Sequence, residues 1–125
     1  MGTALNLIAG AGLAVGLVFG SAAALAQDIS DYRVRDLLAP CVEGDNDSRG
    51  GAVLELECEQ YITGFTDLYV RAGLAKSDKV CLPDENRADE VRWAFMRWAH
   101  DNFDERDMAA VDGLVMTLKA RFPCK

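Results

Sequence analysis

The chain has 125 residues, with 20 Asp or Glu against 13 Lys or Arg, for a formal net charge of −7. That balance disfavours nucleic acid and anionic membrane surfaces as partners, because both need a cationic face. It is compatible with a basic protein partner, and equally with plain solubility.

Residues 1–26 carry no charged side chain. The run from Leu5 to Leu25 is almost wholly apolar and closes on Ala24-Leu25-Ala26, a small-x-small cleavage pattern, before polar sequence begins at Gln27-Asp28. We read residues 1–26 as a secretory signal and residues 27–125 as the mature domain, placed in the periplasm or secreted. The start departs from the usual pattern, since Met1-Gly2-Thr3 supplies no basic side chain. The alternative is an uncleaved leader that anchors a periplasmic domain to the inner membrane, because the run approaches the length of a membrane span. Membrane contact is expected only in that case.

The pattern after the leader predicts an all-α domain, a small bundle of four helices. The first covers about 29–39, with Val34, Leu37 and Leu38 as its apolar stripe and Pro40 as its stop. Residues 43–51 read as an exposed acidic loop holding Glu43, Asp45 and Asp47. The second helix covers 52–72, where Leu54, Cys58, Tyr61, Ile62, Phe65, Leu68 and Tyr69 recur at helical spacing and Gly73 is a natural terminator. Gly64 in its middle costs about 1 kcal/mol against alanine, which a close helix–helix approach would explain. A connector from Ala75 to Pro83 leads to a third helix over 86–102. Its face is Ala88, Val91, Phe95, Trp98 and Ala99, while Trp93 and Met96 point elsewhere, so the helix is central or covered by a second subunit. A very short turn at Asn102-Phe103 predicts antiparallel packing against a fourth helix that begins at Asp104. There Phe103 and Met108 have the spacing of a hydrophobic staple, and Met108, Val111, Val115, Leu118 and Phe122 form the stripe.

Four cysteines, Cys41, Cys58, Cys81 and Cys124, follow the leader. An even count in an exported chain points to disulfides. Three pairings are open to sequence. The helix layout favours Cys41–Cys58 and Cys81–Cys124, with chain-entropy ceilings of ~3 and ~4 kcal/mol.

Little here supports catalysis or a cofactor. No cysteine pair has C-x-x-C spacing, and His100 is the single histidine, so a Cys-His pair would need a free thiol that the even count does not leave. No G-x-S-x-G is present. The loop Glu43-Gly44-Asp45-Asn46-Asp47 lacks the register of a calcium loop, so no metal is expected. Tyr61, Trp93 and Trp98 read as core or interface before they read as a ligand pocket. The reading is a protein-binding module, not an enzyme, whose contact residues are Asp101, Asp104, Glu105 and Asp107 in the last turn and Glu43, Asp45 and Asp47 in the loop. The rivals are an accessory subunit of a periplasmic or membrane assembly, a holdase-type helper, and a ligand carrier.

The segments Cys58-Glu59-Gln60-Tyr61-Ile62-Thr63-Gly64-Phe65, Val80-Cys81-Leu82-Pro83 and Arg121-Phe122-Pro123-Cys124 resemble the Rap1a/Tai family of immunity proteins. The resemblance covers about 37–124. It implies a helical, disulfide-bonded periplasmic protein, often a homodimer, that blocks a papain-like peptidoglycan amidase delivered by type VI secretion by occluding its cleft. The family cysteines fall on Cys58, Cys81 and Cys124, with Cys41 as the fourth. A proline usual before the last helix is replaced by Asp101-Asn102-Phe103.

Overall fold

A computed structural model describes residues 31–46 and 50–125. The leader at residues 1–26 and the loop residue Asp47 lie outside the described residues. Among the described residues five helices follow one another: α1 (Val34–Glu43), α2 (Gly51–Arg71), α3 (Leu74–Ser77), α4 (Arg87–Asp101) and α5 (Ala110–Arg121), with a 3-10 turn at Phe103–Glu105. Among the described residues the only β pairings are two isolated bridges, Arg33 with Ala109 and Val80 with Pro123. The all-α class read from periodicity is the observed one.

Helix α1 begins later than expected and does not stop at Pro40; it continues through it to Glu43. A proline in a helix removes the N–H that would bond to the carbonyl four residues back, here that of Asp36. The Tyr32 hydroxyl donates to that same Asp36 carbonyl at 3.1 Å, so the acceptor that Pro40 leaves empty is filled. The start is fixed by the Arg33 amide donating to Asp36 Oδ2 at 2.8 Å.

Helix α2 and its terminator follow the sequence reading, with Gly73 in the left-handed region at φ 76°. Its buried face is narrower than the expected stripe. Cys58, Ile62, Thr66 and Tyr69 are buried, whereas Leu68 is 67% exposed, because α2 packs mainly on one side, against α1 and α4. The expected close approach at Gly64 does not occur among the described residues: a side chain there would meet none of their atoms within 4 Å.

Helix α4 packs against α1, α2 and α5 and is the central element. Val91, Ala94, Phe95, Trp98 and Ala99 are buried, and Trp98 is core.

The last helix corrects the sequence reading. It begins at Ala110, not Asp104, because residues 103–105 form the 3-10 turn, residues 106–107 continue as a turn, and Ala109 is extended and paired with Arg33 at the start of α1; the Val34 and Arg35 amides donate to the Met108 and Arg106 carbonyls. The buried face is Ala110, Gly113, Leu114, Thr117 and Leu118, rotated from the expected stripe, so that Val111 and Met116 are exposed. Small residues decide this. A Cβ on Gly113 would lie 2.5 Å from Val34 Cγ2 and 3.2 Å from Trp98 Cζ3, so α5 comes close to both neighbours only at glycine. Arg121 at the end of α5 pairs with Asp101 at the end of α4 at 3.2 Å. An antiparallel hairpin would set those two ends about 18 Å apart, the length of α5, so the packing is not that of a tight hairpin.

Both disulfides join the favoured pairs, Cys41–Cys58 and Cys81–Cys124. The second forms for a different reason from the hairpin argument. The Cys81 amide donates to the Phe122 carbonyl and the Cys124 amide to the Lys79 carbonyl, both at 2.8 Å, and this short antiparallel bridge sets the two cysteines side by side.

Candidate protein-binding surfaces

The two acidic segments predicted to meet a partner lie at opposite ends of α1, about 15 Å apart by helix rise. Residues 106–108 bond to its first turn, and Gly44 and Asp45 follow its last.

The loop after α1 is bound inward by a residue the sequence reading missed. Arg92 is 1% exposed. Its Nε and Nη2 donate to the Cys41 carbonyl at 3.3 and 3.2 Å. Nη2 also donates to Asp45, and Nη1 to Glu55 Oε1 at 3.1 Å. Asp89 and Glu59 complete a ring of four carboxylates at 3.6 and 3.9 Å from Nη1. Arg92 therefore caps the end of α1 and fixes the acidic loop against α2 and α4, a use for which a forked guanidinium suits better than an ammonium. Gly44 permits the approach, since a Cβ there would sit 2.9 Å from Glu55 Cα. The signal was present in the spacing. Arg92 falls four residues after Ala88 and seven before Ala99, on the buried face of α4, and a charge on that face needs partners. Asp45 is thus held by Arg92 while still partly exposed, and Glu43 is exposed and accepts a hydrogen bond from Asn46 at 3.2 Å.

The other segment, residues 101–107, projects as a braced turn. The Asn102 side chain donates to the Trp98 carbonyl at 2.8 Å, closing α4. Asp107 is paired with Arg35, and Asp101 with Arg121. His100 stands exposed at 3.4 Å from Asp101. Asp104 and Glu105 are exposed and make no ion pair among the described residues. Between the braces stands Phe103, 59% exposed, with the Arg106 guanidinium stacked 3.4 Å above its ring. Sequence reading treated Phe103 as a staple for the following helix. Its outward position results from the later start of α5.

Tyr61 packs against the edge of the core, with its ring 5.1 Å from that of Tyr32, and Trp93 is half exposed. The three aromatics considered for a ligand pocket do not converge on one cavity. Both disulfides are formed, and no free cysteine remains.

The sequence model for Rap1a immunity proteins matches residues 33–124. The chain belongs to the Rap1a immunity protein family. No curated protein and no solved structure matches it. Membership gives this Rap1a chain a protein-binding role, with a toxin as the partner, and fits an inhibitor better than a catalyst. No helix among the described residues is long and apolar enough to cross a membrane.

Proposed function

We propose that this Rap1a protein acts in the periplasm and protects its cell by occluding the cleft of a papain-like peptidoglycan amidase, with the turn at residues 102–107 as the inserting element. One observation carries the placement. The turn holds an exposed aromatic residue, Phe103, beside two unpaired carboxylates, Asp104 and Glu105, on a backbone tied to α1 by two amide hydrogen bonds and the Arg35–Asp107 pair. A projecting group that is already ordered loses little entropy on docking, and aromatic residues are the usual anchors of interfaces. The loop at Glu43–Asp47 is the weaker candidate, because Asp45 is spent on Arg92.

The homodimer that the family resemblance implies has a suitable face on α2. Val53, Leu56, Gly64 and Leu68 are all exposed along it, and Gly64 offers the closest approach to another helix.

The test is inhibition of peptidoglycan hydrolysis by a papain-like amidase encoded beside this protein. Phe103→Ala combined with Asp104→Lys and Glu105→Lys should weaken inhibition at least about tenfold, the loss of one or more anchor contacts, with an unchanged melting temperature. Unchanged inhibition refutes the placement on this turn. Failure of the unsubstituted protein to bind such an amidase refutes the amidase reading.

A further inference from the structure

The chain has only four lysines, Lys76, Lys79, Lys119 and Lys125, and the fold gathers them at one end. Lys76, Lys79 and Lys125 line an open groove of about 640 Å³ whose apolar surface is Val70, Ala75, Val80 and the Cys81–Cys124 bridge. Lys119 stands beside that turn, with Nζ 3.3 Å from Asp78 Oδ1. No acidic side chain lines the groove. The carboxylate of the same turn, Asp78, already accepts the Tyr69 hydroxyl at 2.7 Å and pairs with Lys119. In a protein of net charge −7, this is a concentrated cationic rim around an apolar floor.

Lys79 adds an independent observation. Its backbone is left-handed, with φ 56°. Glycine or asparagine is the inexpensive choice there, and a long side chain in that region carries strain. Strained positions are held where the surrounding structure over-determines them, often at binding surfaces. Here the bridge does so, because the Lys79 carbonyl accepts the Cys124 amide.

We propose that this groove is a docking site for an acidic peptide segment of a partner protein. Its carboxylates meet the lysine rim, and a small apolar side chain rests on the valine and disulfide floor. The apolar floor between the lysines favours a peptide, whose apolar side chains gain a contact there beyond charge alone. The proposal is independent of the amidase reading and of the turn at 102–107.

The experiment is fluorescence anisotropy of the purified protein with the fluorescein-labelled peptide Glu-Glu-Leu-Asp-Leu-Glu at low salt. Binding should fall by at least about tenfold for the double variant Lys76→Glu and Lys79→Glu, since each exposed pair contributes modestly and is then reversed. Lys79→Gly is the decisive variant. It relieves the backbone strain, so its melting temperature should hold or rise while its affinity drops about threefold. Arg97→Glu, outside the groove, should bind as the unsubstituted protein does. The proposal is overturned by absence of binding or by affinity that Lys79→Gly leaves unchanged. It is also overturned by equal binding of the peptide with both leucines changed to serine, which reduces the effect to bare charge. Lysine-dependent binding of phosphatidylglycerol vesicles in preference to the peptide overturns it in favour of a lipid surface.

Discussion

Replacing Arg92 by methionine keeps much of the side-chain volume and removes the guanidinium. The Cys41 carbonyl then loses its two donors. None of the turn hydrogen bonds that close α1 among the described residues ends on this carbonyl, so it is left buried without a partner from them, at a cost of about 1–3 kcal/mol. Asp45 and Glu55 each lose an ion pair but are partly exposed and recover hydration, so each loss is worth only about 0.2–1 kcal/mol. The four carboxylates around Arg92 then lose the cation they share. The expected loss is about 3 kcal/mol in all. In urea, with a slope of about 1–1.5 kcal/mol per M for a small domain, the unfolding midpoint should fall by about 2 M. Added salt should recover part of the loss by screening the carboxylates. Arg92→Lys should fall between, because one ammonium cannot span Cys41, Asp45 and Glu55 together. A methionine variant within about 0.5 kcal/mol of the unsubstituted protein would refute the assignment of Arg92 as the cap of α1.

Two glycines should respond to alanine with opposite signs. Gly64→Ala fills open space on α2 and should add about 1 kcal/mol to the monomer's thermal stability; if α2 is the dimer seam, the same change should weaken association in light scattering. Gly113→Ala forces a Cβ against Val34 and Trp98 and should cost about 1–3 kcal/mol in denaturant unfolding. Tyr69 supplies an alkaline signature. Burial first, then the hydrogen bond to Asp78, pushes its phenol from 10.0 to about 12. The unfolded chain releases this proton before the folded one does, so stability should decline between about pH 10 and pH 12. Urea midpoints measured across that window should decline less in Tyr69→Phe.

The helical class and the four cysteines could be read from the sequence because period and parity are local properties. The reading failed where one segment borrows a partner from another. Pro40 reads as a helix stop until the Tyr32 hydroxyl is seen at the Asp36 carbonyl. Asp104 reads as a helix start until the 3-10 turn at Phe103–Glu105 and the Arg33–Ala109 bridge postpone the helix to Ala110. Arg92 drew no reading from the sequence, although its register on α4 placed it inside. The candidate contact residues were chosen as charges in loops. The structure ties the partly exposed Asp45 to the buried Arg92 and leaves Asp104 and Glu105 outward, with Phe103 between the braces that hold the turn.

The disulfide pattern has a consequence for how the protein is made. Cys41 joins the next cysteine in the chain, Cys58, and Cys81 joins the next after that, Cys124. Under the export proposed above, an oxidant that meets thiols in order of emergence from a secretion channel would make these same pairs without correction. Such a chain would mature on a strong oxidase alone, without the slow reshuffling of crossed pairs that requires an isomerase.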